Sequence, residues 1–197
     1  MQIDRIKFRS TLLEEVRAAW STLRHAHSSE AFYAFGIYTT AVVDYLMVTA
    51  STEEGLSKVT AEYCARDGGD STTRRVSLRW FPADSPLHME GRDLLARSEA
   101  LRFEGPDPYD DSPEADEVIS MVLEAAFEVL TTLDHEGVFG VGTDRQRLVV
   151  NVWMGDQEEE ERVEFAKLLN PPAVAERFAM ESSDGYRAFF ELSSRAG

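Results

Sequence analysis

Three glycines, Gly137, Gly140 and Gly142, lie close enough together to suggest a loop that cradles phosphate. They follow a helical pattern and precede a strand, whereas a dinucleotide loop runs from strand into helix so that phosphate meets a helix N-terminus. The third glycine position of that fingerprint is Arg145, so a turn is the better reading. Asp107, Asp110 and Asp111 suggest a calcium loop. Counted from Asp107, however, the third position is Tyr109, the sixth Ser112 and the twelfth Val118, and all three are wrong for an EF-hand. His25 and His27 diverge by about 200° on a helix, so they cannot share one metal. His88 and His135 stand alone in sequence. Cys64 lacks a CxxC partner or a nucleophile signature, and reads as a small, partly buried thiol. No motif implies a cofactor or a metal.

Carboxylates are too abundant to single out a catalytic pair, with 36 Asp and Glu in 197 residues. Their distribution says more. From Phe103 to Asp144 there are twelve acidic residues and no Lys or Arg, while the remainder holds 24 acids and 20 bases. About three quarters of the net charge of −16 therefore lies in one segment. Such a surface disfavours nucleic acid and anionic membranes as direct ligands. It suits a basic protein partner, whose approach it would accelerate. The residues expected to make that contact are Asp107, Asp110, Asp111, Glu114, Asp116 and Glu117, backed by Asp156 to Glu161. Excess charge also serves solubility alone, and that reading stands beside the first.

The elements that position these groups follow from apolar periodicity. Phe32 to Ala50 is nearly all aromatic, β-branched or aliphatic, and reads as two strands joined by a loop over 39–44. Strict alternation would set Phe32, Ala34 and Tyr38 on one face, and Tyr33, Phe35 and Ile37 on the other. Tyr45 and Met47 would likewise oppose Leu46 and Val48. Arg75 to Trp80 alternates wet and apolar residues as a third strand would, and Leu148 to Met154 is a continuous apolar fourth.

Helices are expected over 5–27, from Thr52 to Gly68, from Asp84-Ser85-Pro86 to Leu101, and from Ser112-Pro113 to Gly137. An acidic helix capped by Asp156 reaches about Leu169, and a short one spans 173–180, with a last turn beyond Ser182. The resulting expectation is one α+β domain over 1–197. Its sheet of about four strands, mostly antiparallel or mixed, is covered by helices on both faces. Tyr38, Tyr45, Trp80 and Trp153 on the strands, with His88, could line an aromatic pocket, although strand aromatics more often serve the core.

A hydrophobic content of 43% and charged content of 28% fit an ordinary soluble protein. No apolar run approaches the roughly 20 residues of a membrane helix. The charged opening MQIDRIKFRS is unlike a signal peptide, and the single cysteine excludes an internal disulfide. A cytoplasmic setting is the simplest expectation.

The order of several short motifs adds to this. The run FYAFGIYTT is followed by Ser51-Thr52-Glu53-Glu54-Gly55-Leu56 and Arg79-Trp80-Phe81-Pro82-Ala83. Then come Leu133-Asp134-His135-Glu136-Gly137-Val138-Phe139-Gly140, a Val-Trp strand, and Leu169-Asn170-Pro171-Pro172. Over Ala31 to Phe178 the chain resembles the bacterial domain-of-unknown-function family numbered four thousand three hundred and three. The resemblance implies no catalytic residues to carry over. Small acidic proteins of this kind are similar in size and genomic setting to immunity proteins of toxin systems, an analogy only. The tryptophan that the resemblance implies after Arg-Trp-x-Pro-Ala is absent, since Asp84-Ser85-Pro86 follows.

Two functions remain in play. One is a non-enzymatic binding protein, in its finer form an immunity protein neutralising a basic toxin. The other is a small-molecule or enzymatic domain using the aromatic pocket, with His88 or His135 as its proton-transfer group.

Overall fold

The computed structural model describes residues 3–155 and 157–195, without the side chains of 194 and 195. Eight helices surround a three-stranded sheet among the described residues. They are α1 (Arg5–Ala26), α2 (Glu53–Asp67), α3 (Ser71–Leu78), α4 (Ala96–Arg102), α5 (Pro113–His135), the single turn α6 (Gly142–Arg145), α7 (Glu159–Leu169) and α8 (Pro172–Arg195). The strands are β1 (Phe32–Thr39), β2 (Met47–Thr52) and β3 (Val149–Met154), ordered β2-β1-β3. β1 pairs antiparallel with β2 and parallel with β3, so the sheet is mixed and the α+β class holds.

All three strands are buried along their length, as two-sided apolar runs require. One face carries Phe35, Ile37, Val48, Val150 and Val152 against α1 and α5, including Phe8, Leu12, Val16, Val122 and Leu130. The other carries Tyr33, Tyr38, Met47 and Trp153 against Leu56 and Val59 of α2, Leu78 of α3, and Val174 and Phe178 of α8. A register shift between Phe32 and Ala34 breaks the simple alternation. Beyond this bulge, Ala34 joins Tyr33 and Tyr38, while Phe32 joins Phe35 and Ile37.

The sheet has three strands, because Arg75 to Trp80 does not form one. Asp70 accepts from Thr73 N at 2.7 Å and so caps α3. Glu53 then draws Arg75 and Arg79 to the same side of that helix, where both bond its carboxylate. The period-two pattern was coincidental.

The helix expected from Asp84 is also absent. Two short 3₁₀ turns, Pro82–Asp84 and Met89–Gly91, precede α4, which is only seven residues long. This segment lies along the outer edge of β2, where Ser85 Oγ donates to Ala50 O at 2.6 Å. A Cβ on Gly91 would stand 1.9 Å from Val48 O, so the approach demands glycine. Covering the edge of β2 this way removes an exposed pairing surface. At the C-terminus, α8 is one continuous helix where a short helix and a separate turn were expected. Asp156 lies outside the described residues, and Glu158 takes the N-cap position of α7.

Candidate functional site

Ser112 Oγ accepts from Ala115 N and starts α5, and Pro113 fills its first turn. The loop before it carries the acidic stretch to the surface. Asp107, Asp110, Asp111, Glu114, Asp116 and Glu117 are all exposed. The acidic segment nevertheless divides in two. Glu117, Glu128 and Glu136 pair with Arg5, Arg9 and Arg17 of α1 at 3.1, 2.7 and 2.5 Å. Asp134 pairs with Arg145 at 2.5 Å, and Asp144 meets Arg147 at 3.9 Å. Among the described residues, Asp107, Asp110, Asp111, Glu114 and Asp116 have no ion pair, nor do Glu104 and Glu124. Five carboxylates close in sequence thus lack an ion pair, on either side of Tyr109, which is 71% exposed. Phe103, 57% exposed, lies just upstream.

The acidic loop is anchored from below. Arg102 is wholly buried, donating Nε to Val43 O at 3.2 Å and Nη1 to Pro106 O at 3.0 Å. Burial lowers its pKa, against the attraction of Asp107 and Asp44. Val43 itself has φ +50°, a left-handed conformation that a β-branched residue adopts only under constraint. On the surface, Tyr109 Oη donates to Asp44 Oδ2 at 2.5 Å. Burial opposes ionisation of Asp44, but hydrogen bonds from Thr40 and Tyr109 hold its carboxyl below the ordinary value. Loop 40–46 and loop 103–112 are thus clasped together by two side chains.

The aromatic residues expected to form a pocket separate into two groups. Tyr38 stacks on Tyr45 at 6.1 Å and meets the His88 ring edge-on at 4.6 Å. Tyr45 and His88 line a cavity of about 410 Å³. Arg92, Asp93 and Glu99 complete its polar wall. Trp80 and Trp153 instead enclose Phe178 at 4.9 and 5.7 Å and serve the core. His88 is 8% exposed, and its Nδ1 lies 3.1 Å from Thr49 Oγ1. Burial pushes its pKa down, so the ring is neutral near pH 7. His135 and His25 are exposed on helix surfaces, and Cys64 is half-buried. Among the described residues, no three His, Cys, Asp or Glu side chains gather as metal ligands. No helix there is long and apolar enough to cross a membrane.

Several motif residues serve architecture. Arg145, buried, donates to Asp134, to Leu148 O at 2.6 Å and to Leu169 O at 3.1 Å. Glu53 receives a forked pair of bonds from Arg79 at 2.8 and 3.1 Å. Burial works against that carboxylate's charge, but Arg79 and Arg75 hold its pKa low. These arginine contacts escaped the sequence reading because guanidinium groups are usually exposed; the local signal was the acidic first turn of α2.

No curated protein and no solved structure matches the chain. Residues 12–171 match the family described as Domain of unknown function (DUF4303). That span takes in the bulged β1, the Asp134–Arg145 pair and both walls of the cavity, and the chain belongs to this family.

Proposed function

We propose that the chain is a binding protein whose acidic face around the start of α5 docks a basic protein partner. One observation carries this reading: five exposed carboxylates, Asp107, Asp110, Asp111, Glu114 and Asp116, lie within ten residues of one another without an ion pair among the described residues, in the same stretch as the exposed ring of Tyr109. An exposed aromatic side chain in an acidic stretch has the make-up of an interface anchor, with electrostatics steering the encounter. The paired carboxylates of the segment are left out of this reading, since Arg5, Arg9 and Arg17 of α1, together with Arg145 and Arg147, already offset them. The finer reading is an immunity protein that neutralises a basic toxin. It rests on the same charge complementarity.

The test uses the purified chain and strongly basic proteins encoded beside its gene, with association rates read at low and at physiological salt. Reversing Asp110, Asp111, Glu114 and Asp116 to Lys is expected to slow association at low salt by about tenfold or more. It should also flatten the salt dependence and leave the melting temperature nearly unchanged. An association rate that the reversal leaves unaltered would overturn the reading.

A further inference from the structure

The cavity beside His88 has no part in the docking face, and its chemistry differs. It opens at the hairpin end of β1 and β2, which is also the carboxyl end of β1 relative to its parallel neighbour β3. Crevices at the carboxyl ends of parallel strands are where open sheets commonly bind ligands. Its volume of about 410 Å³ suits a small molecule.

The lining sorts by chemistry. Tyr45, Met47 and Met89 give an aromatic and thioether wall, and sulfur packs well on an aromatic ring. Asp93 and Glu99 share the lining with one cation, Arg92. With His88 uncharged, the lining carries a net single negative charge. Among the described residues, Glu99 Oε1 receives only a long bond from Leu46 N, at 3.4 Å. Only Nδ1 of His88 has a hydrogen-bond partner among the described residues. When Nδ1–H donates to Thr49 Oγ1, Nε2 is left as an acceptor. The ring is nine-tenths buried and lines the cavity.

We infer that this cavity binds a small ligand carrying a protonated amine on an aromatic or apolar body. Glu99, Asp93 and His88 Nε2 accept from the ammonium, and the Tyr45–Met47–Met89 wall takes the body. Two sources share this chemistry, a simple amine and an α-amino acid. They differ in the carboxylate, which Arg92 would engage.

The experiment is calorimetric titration of the full chain with phenethylamine, L-phenylalanine and 3-phenylpropanoate. Saturable binding of at least one ammonium compound, with none of 3-phenylpropanoate, is expected. Tighter binding of L-phenylalanine, weakened at least tenfold by Arg92→Ala, identifies the amino acid. Tighter binding of phenethylamine, indifferent to that substitution, identifies the simple amine. Glu99→Gln keeps an acceptor for Leu46 N, and it should lower ammonium affinity at least tenfold. The lysine-reversed variant of the acidic loop should bind as the parent does, which separates this site from the docking face. The inference fails if neither ammonium compound saturates, if 3-phenylpropanoate binds equally well, or if Glu99→Gln and Asp93→Asn together leave affinity unchanged.

Discussion

The Asn170 carboxamide pairs with Val150 as a strand would: Nδ2 donates to Val150 O at 2.6 Å, and Oδ1 accepts from Val150 N at 2.8 Å. β3 is an edge strand, and its outer backbone groups need partners. Nδ2 also donates to Ala166 O at 2.8 Å, which ties the end of α7 to the sheet. Asn170→Ala would leave a buried N–H and C=O unsatisfied, at a cost of roughly 2–3 kcal/mol. The melting temperature should fall by about 4–10 °C, given the usual response of chains of this size. A melting curve indistinguishable from the parent's would show that the backbone finds other partners.

Gly36 makes a sharper case. A Cβ there would stand 1.8 Å from Asn151 O and 2.9 Å from Trp153 Nε1, in the middle of the sheet. The oxygen belongs to backbone locked in the β1–β3 ladder and cannot yield. Gly36→Ala is expected to cost about 3 kcal/mol or more, read from the urea midpoint. The same single methyl on Gly142, which has open space around it, meets only the strain of its positive φ and should cost less.

How far such features show in sequence depends on whether their cause is local. α5 was legible because Ser112-Pro113 and a three-four apolar stripe specify it within its own length. β3 was legible as an unbroken apolar run. α3 was not, although its cap Asp70 directly precedes it, because its arginines answer to Glu53, some 22 residues away in sequence. The bulge near Tyr33 has no residue signature, yet it decides which face Ala34 serves. The acidic loop could be named as a charge cluster. Its division into a paired and an unpaired half depended on α1 crossing α5, which no local pattern discloses.

Two histidines should give the stability opposite slopes with pH. Glu90 and Glu30 hydrogen-bond His27 and hold its pKa above the ordinary 6.5, burial opposing them. Its contribution is fully present below 6.5 and is lost as pH rises through the raised folded value. His88 is the reverse, because burial lowers its pKa. Its contribution is present above 6.5 and is lost as pH falls through the lowered folded value. His27→Gln should therefore remove a decline in stability on the alkaline side, and His88→Gln a decline on the acid side. Urea midpoints across pH 5–8, with NMR titration of each ring, check both signs. Identical pH profiles for the two variants would contradict the assignment.

The exposed ring of Tyr109 is held in place by its own hydroxyl, through the 2.5 Å bond to Asp44. On the proposed docking face the ring would be a pre-ordered contact, and ordering a side chain in advance lowers the entropy lost on binding. Tyr109→Phe keeps the ring and frees it. Tyr109→Ala removes it. Because the side chain is exposed, each should change stability by no more than about 1 kcal/mol. Against the basic partner recovered by the docking test, Tyr109→Ala should weaken affinity about tenfold or more, corresponding to about 1.4 kcal/mol. Tyr109→Phe should lose only part of that, and Asp44→Ala should match it, since both cut the same tether. Should Tyr109→Ala bind as tightly as the parent, the ring would be a bystander and the docking surface would be one of charge alone.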